Sequence, residues 1–261
     1  MSIRKTAWSN AAPSLSSPHM SLEKQNALVV GGGTGMGEAI ALALAAEGAT
    51  VAVAGRRQEK LDAVAAQAEG KILTHTVDVA ERESVRALFD WAGVQFSGQL
   101  HLLVNCAGVN VPNRSMSELA PEDWDKVMAI NATGAFNCMH FGLPLMRPHK
   151  AGLIINISSI AGLRASHLGG VGYNASKFAM NALGTSASGD ELENNIRITT
   201  ICPGEVDTPI LDDRPQPPSA EHRATILQAS DVAEMVVAVA KLPPRAHVPE
   251  LTIKPTSQLF V

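Results

Sequence analysis

From Ala27 onward, short β-branched runs alternate with longer stretches of helical period, a pattern that allows little besides a parallel sheet covered by helices on both faces. The pattern predicts strands at Ala27–Val30, Thr50–Ala54, Ile72–Thr76, Leu100–Asn105, Leu153–Ile157, Arg197–Cys202 and Leu251–Ile253. Between them it predicts helices over Gly37–Glu47, Gln58–Gln67, Glu81–Phe96, Pro121–Leu143, Gly172–Glu193 and Asp231–Lys241. Pro121 suits a first helical turn because it has no N–H to satisfy, and Ser230 is expected to cap the last helix. The fold class is α/β: one doubly wound, seven-stranded parallel domain. Right-handed crossovers put every strand's carboxyl end along one edge, where open sheets of this kind bind ligands. Chemistry is therefore expected in the Gly31–Gly37 loop, Gly55–Arg57, Asp78, Asn105–Gly108, Ser158–Ser159 and Pro203–Thr208.

Composition narrows the partners. The 261 residues are 46% hydrophobic and 18% charged, enough apolar material to fill one large core, and the formal charge is −4. No Lys/Arg block stands out, so neither nucleic acid nor an anionic membrane is an evident partner, and a small-molecule ligand is expected. The longest apolar stretch, around Ala39–Ala46, is far short of the roughly 20 residues that cross a bilayer. Cys106, Cys138 and Cys202 lie far apart without CxxC pairing, and the eight histidines lack metal-site spacing. Free thiols, no metal and a cytoplasmic location are expected. Residues 1–24 are rich in Ser, Ala and Pro and read as a disordered tail preceding the domain at 25–261. A transit peptide, or a natural start at Met20, are the other readings of this segment.

The glycine string follows the first strand directly. Gly31, Gly33, Thr34, Gly35, Met36 and Gly37 give a GxxxGxG spacing over Gly31, Gly35 and Gly37. Lacking Cβ atoms, such a loop turns tightly and approaches a pyrophosphate, while the helix start offers free N–H groups and the positive end of its dipole. After the second strand, NAD-binding chains carry a carboxylate for the adenosine ribose. Here Gly55, Arg56 and Arg57 stand instead, leaving room and positive charge for a 2′-phosphate, to which Thr34 could add a hydroxyl. NADP(H) is therefore expected over NAD(H).

Tyr173, the only tyrosine, lies four residues before Lys177 on a predicted helix, so the two share a face. Lowering a phenol pKa from about 10 by roughly three units takes about 4 kcal/mol, and an ammonium at about 4 Å supplies that order of energy at an effective dielectric near 20. Tyr173 becomes the candidate acid/base. Ser158 and Ser159 end the preceding strand. Asn131 sits inside a helix, where its amide competes with backbone hydrogen bonds, so a side-chain task is expected of it.

Taken in order, the GxxxGxG loop, Asp78-Val79, Asn105-Cys106-Ala107-Gly108, Asn131, Ser158-Ser159, Tyr173-Asn174-Ala175-Ser176-Lys177 and Pro203-Gly204 followed by Val206 and Thr208 resemble the short-chain dehydrogenase/reductase family from about Ala27 to Thr256. The resemblance implies a Rossmann-type fold and hydride exchange between a nicotinamide cofactor and a carbonyl or alcohol. It places Asp78 and Val79 at the adenine and Asn105, Ala107 and Gly108 along the cofactor cleft. Pro203, Gly204, Val206 and Thr208 would lie by the nicotinamide end. Tyr173 would be the acid/base, Ser159 would hydrogen-bond the substrate oxygen, and Lys177 would also bind the nicotinamide ribose. Asn131 would hold a proton-relaying water. A homo-oligomer, tetramer or dimer, is also implied. Val30, Cys106 and a Ser159–Tyr173 interval about one residue longer than usual depart from the family pattern, and the last leaves Ser158 as a rival to Ser159. An NAD-dependent dehydrogenase or a catalytically silent dinucleotide-binding regulator are the alternative functions. The loops Val109–Arg114, Ile160–Leu168 and Pro209–Ile226 should form the substrate pocket. Their generic polarity names no substrate, and the last reads as a mobile lid.

Overall fold

The computed structural model describes residues 20–68 and 72–259. Seven strands form one parallel sheet: β1 (Asn26–Val30), β2 (Thr50–Gly55), β3 (Ile72–Thr76), β4 (Leu102–Asn105), β5 (Gly152–Ile157), β6 (Ile196–Pro203) and β9 (Glu250–Ile253), in spatial order β3-β2-β1-β4-β5-β6-β9. The order reverses direction between β1 and β4, so the crevice at their carboxyl ends is the ligand edge. Val30 is in register there with Ala54 of β2 and Asn105 of β4.

Strand alternation divides the core in two. Ala27, Val29, Val51, Val53, Val104 and Ile155 face one apolar cluster, whereas Leu28, Val30, Ala52, Ala54, Leu103 and Ile154 face the other. Both faces of the central strands are buried, which explains their nearly continuous Val/Ile/Leu/Ala runs. Helices α1 (Gly35–Ala46), α2 (Gln58–Gln67) and α8 (Ala229–Ala240) lie over the first cluster. Helices α3 (Arg82–Gln95) and α5 (Gly134–Gly142) lie over the second.

The helix expected over Pro121–Leu143 has an internal discontinuity. Pro121 does open it, as α4 (Pro121–Met128), but Ala129–Thr133 form a π-turn before α5 resumes. Asn131 sits inside that turn, fully buried. The long helix α6 (Val171–Asp190) carries Tyr173 and Lys177. Helix α8 begins two residues earlier than expected, and Ser230 is not its cap. Gln228 occupies that position, and Asp231 reaches back to accept its N–H at 2.8 Å, a reciprocal pairing that relegates Ser230 to the first turn.

A small second sheet pairs β7 (Val206–Asp207) with β8 (Leu227–Gln228), closing the segment between them into a flap. The flap contains a 3₁₀ turn, Pro209–Asp213, and helix α7 (Ala220–Arg223). Arg223 ties it down through Asp207 at 3.0 Å and through Asp212. Of the tail expected over residues 1–24, positions 1–19 fall outside the described residues. Positions 20–24 belong to the body: Leu22 is buried in the first core cluster, and the Met20 N–H donates to the Lys241 carbonyl at 3.1 Å. Among the described residues, no helix is long and apolar enough to cross a membrane.

Candidate active site

Two adjoining cavities open along the ligand edge. The larger, about 520 Å³, runs over the carboxyl ends of β1, β2 and β4; the smaller, about 150 Å³, lies beyond Tyr173, and both are bounded by Met36, Ser158, Tyr173, Thr208 and Ile210. Glycine makes the larger cavity's floor possible. A Cβ on Gly31 would lie 2.5 Å from the Ala107 nitrogen and one on Gly37 would lie 2.1 Å from the Gly31 carbonyl oxygen, so only bare backbone lets the loop, α1 and β4 approach this closely.

Of the residues expected to hold a cofactor, Gly31, Gly33, Thr34, Gly35, Met36, Arg56, Arg57, Asp78, Val79, Ala107, Gly108, Tyr173, Lys177 and Thr208 line the larger cavity. Pro203, Gly204 and Val206 line the smaller one, as does Ser159. Gly37 and Asn105 stand behind the wall. Gly37 is buried at the start of α1, and the Asn105 amide donates to the Asn156 side-chain oxygen at 2.9 Å, coupling β4 to β5. At the far end, Arg56 and Arg57 are exposed, joined by Lys60 one turn into α2, and none of the three forms an ion pair among the described residues. A Cβ on Gly55 would make only ordinary contact, 3.6 Å from Leu61 Cδ2, so the space there is open.

The polar groups expected to converge do so, with different partners from those anticipated. Asn131 accepts the Val109 N–H at 2.8 Å and donates to the Val109 carbonyl at 2.9 Å and the Ser176 hydroxyl at 3.0 Å. Its amide therefore fixes the loop after β4 directly. The amine of Lys177 is buried and donates to the Ile157 carbonyl at 3.0 Å. Burial pulls its pKa down to about 8, opposed by Cys106 and Cys202. A Cβ on Gly108 would lie 3.6 Å from both Asn131 Oδ1 and Lys177 Nζ, so those two groups flank one spot.

Burial in the cleft raises the Tyr173 pKa, while a hydrogen bond with Ser159 and the charges of Arg114 and Arg214 pull it back. Lys177 Nζ lies 5.7 Å from the centre of the Tyr173 ring, directed to Ile157 rather than to the phenol oxygen. Ser159 and two arginines, rather than Lys177, are the groups that counter the effect of burial on the phenol. The two serines separate clearly. Ser158 is buried and hydrogen-bonded to Asn181, whereas Ser159 accepts the Ala161 N–H at 3.1 Å and contacts Tyr173 in the smaller cavity.

Sequence reasoning singled out neither Lys60 nor, within the segments it expected at the site, Arg114, Glu205 and Arg214 individually, and all four line the cavities. Lys60 carried a signal, four residues after Arg56 at the start of a predicted helix. Arg114, Glu205 and Arg214 carried none, since their partners come from distant loops.

A family model described as short chain dehydrogenase matches residues 25–218. The chain belongs to the short-chain dehydrogenase family. Among similar proteins, an uncharacterized oxidoreductase of Staphylococcus aureus is 32% identical over 233 residues, spanning 88% of this chain and 96% of that one. A tropinone reductase homolog of Arabidopsis thaliana is 37% identical over 193 residues, 73% and 71% of the two chains. Among solved structures, the alcohol dehydrogenase of the archaeon Thermococcus sibiricus complexed with 5-hydroxy-NADP shares 26% identity and a TM-score of 0.81, covering 90% of this chain and 98% of that one. The closed form of serine dehydrogenase complexed with NADP+ shares 27% identity and a TM-score of 0.84, covering 90% and 96%. This short-chain dehydrogenase is thus an oxidoreductase, and structural neighbours of it are complexed with NADP or a derivative of it.

Proposed function

We propose that the protein is an NADP(H)-dependent oxidoreductase that interconverts a carbonyl and a secondary alcohol on a small organic substrate, with Tyr173 as general acid/base. The observation that carries this reading is the position of the Tyr173 side chain, shared by the two cavities and lining the smaller one together with Ser159. The bare-backbone loop fits a pyrophosphate, and the Arg56, Arg57 and Lys60 rim beside open Gly55 fits a 2′-phosphate. The NADP complexes of the Thermococcus enzyme and of serine dehydrogenase support the same choice.

When bound, the nicotinamide supplies or accepts the hydride. In the reductive direction negative charge develops on the substrate oxygen. Tyr173 donates its proton there and Ser159 holds the oxygen with a second hydrogen bond, both fixed before the reaction. A phenol whose burial raises its pKa remains protonated at neutral pH, as this role requires. Lys177, with a pKa of about 8 and a buried amine, exchanges protons near neutral pH and is placed to replenish Tyr173 along the Asn131 side of the cleft. Val206 and Thr208 would hold the nicotinamide end of the cofactor and Asp78 the adenine end. Buried Cys138 and Cys202 suit a reducing, cytoplasmic location.

The test is turnover of NADPH against a panel of ketones, aldehydes and quinones, with Tyr173→Phe as control. Loss of one oxygen should lower turnover by roughly two to four orders of magnitude and leave NADPH binding in place. Wild-type turnover in a folded Tyr173→Phe protein refutes the assignment. The same reading includes a homotetramer: Trp124, Phe136 and Phe178 expose large apolar surface on α4, α5 and α6, which a second copy would cover. Light scattering at micromolar concentration showing only a 27.4 kDa species would overturn that part.

A further inference from the structure

The smaller cavity contains a positive charge that no carboxylate of the described residues pairs with. Arg114, in the loop after β4, is 8% exposed. Its guanidinium donates only to main-chain carbonyls: Nε to Val111 at 2.8 Å, Nη1 to Leu168 at 3.2 Å and Nη2 to Asp213 at 2.6 Å. Carbonyl dipoles solvate the group without neutralising it, and three bonds leave two of a guanidinium's five N–H donors available. A second arginine on the same wall, Arg214, is paired with Glu205, whose other oxygen meets His222 at 2.8 Å. The cavity wall thus presents two guanidinium groups against one carboxylate.

Burial of an unpaired charge is costly unless something compensates for it. Burial and the nearby Arg214 both oppose the charge on Arg114, and the exposed Asp213 carboxylate and Tyr173 only partly offset them. An arginine stays ionised in proteins regardless, so an anion arriving in the cavity would find its partner already oriented. Arg114, Arg214 and Tyr173 line this one cavity, so the charge and the reacting oxygen face the same space. At about 150 Å³ the space is well below the 300–1,000 Å³ typical of drug-sized ligands.

Building on the oxidoreductase reading, we propose that this cavity takes a small oxo acid or hydroxy acid, its carboxylate held by Arg114 and its carbonyl or hydroxyl oxygen by Tyr173 and Ser159. Planar guanidinium geometry matches a carboxylate, and a cavity of about 150 Å³ shared by Arg114 and Tyr173 limits the substrate to a few carbons. Arg114 would then set specificity as well as clasp three loops.

The experiment measures kcat/KM with NADPH for 2-oxobutanoate and 3-oxobutanoate, each beside its neutral methyl ester. The wild-type protein should prefer at least one acid over its ester by 10-fold or more. Arg114→Gln should lower that ratio by roughly 10- to 100-fold, the range of one charge-assisted contact, and Arg114→Lys should restore part of it. Because Arg114 also joins loops, the ratio within each variant is the readout: a purely structural role would lower acid and ester turnover together, and that result overturns the proposal. An ester reduced as well as its acid by the wild type overturns it without any variant, while leaving the oxidoreductase reading standing. Absence of turnover for every acid, ester and neutral carbonyl overturns that reading and this inference with it.

Discussion

Gly55→Asp tests the proposed cofactor preference at the residue where the argument is sharpest. Gly55 ends β2 beside the larger cavity, and a Cβ there would meet nothing nearer than Leu61 Cδ2 at 3.6 Å, so the aspartate fits without rebuilding the strand. Its carboxylate would stand where a 2′-phosphate is expected, beside Arg56 and Arg57. Two like unit charges about 4 Å apart repel by about 4 kcal/mol at an effective dielectric near 20. Both arginines are exposed, so salt screens the interaction, and about 2–3 kcal/mol is the expected net effect. NADPH binding should therefore weaken by roughly 30- to 150-fold. NADH should bind several-fold more tightly, because the new carboxylate accepts hydrogen bonds from the ribose hydroxyls. The assay is titration of reduced-cofactor fluorescence at fixed ionic strength, with far-UV circular dichroism to show that the variant is folded. A folded variant whose NADPH dissociation constant stays within about threefold of wild type would refute the placement of the phosphate at Gly55.

Three further outcomes follow from the geometry. Arg56→Ala should weaken NADPH by about 3- to 10-fold, the low end for a charged hydrogen bond at an exposed site, with NADH nearly unchanged; equal losses for both would show that Arg56 does not read the phosphate. Ser159→Ala should lower kcat by about 10- to 1,000-fold through loss of a fixed donor at the reacting oxygen, whereas Ser158→Ala, which removes a bond to Asn181, should act mainly on melting temperature; the reverse pattern in kinetics and calorimetry would exchange the two roles. Arg147→Met should destabilise the fold by about 2 kcal/mol, because Glu191, 2% exposed, accepts from Arg147 at 3.1 and 2.5 Å and would keep only Asn194. Arg147 holds the Glu191 pKa below the usual carboxylate value, so the stabilisation is present above about pH 4.5 and disappears as pH falls through the lowered folded value. Urea titrations of wild type and Arg147→Met should accordingly converge at low pH.

The doubly wound parallel sheet and the ligand edge were legible in the chain itself, because period-2 and period-3.6 patterning with short connections leaves few topologies open. The glycine string between β1 and α1 was equally local: it has meaning wherever a strand runs into a helix, and the close approaches at Gly31 and Gly37 supply the reason. Other features depended on groups brought together from distant parts of the sequence. Asn131 was marked as an awkward helix residue, but only packing against Val109 and Ser176 shows what its amide does. Ser158 and Ser159 are chemically identical in sequence, and strand alternation plus the position of Asn181 separates them. The α8 cap moved from Ser230 to Gln228 because Asp231 reaches back to the Gln228 N–H, a contact that outweighs the local preference for serine at a cap. Arg114 shows the limit most clearly. As one arginine in a polar loop it is indistinguishable from a solvated charge, and it becomes a buried cation beside Tyr173 only when Leu168 and Asp213 arrive from 54 and 99 residues away. Periodicity determines which residues share a face, whereas the environment of a charge depends on chain segments that meet only after folding.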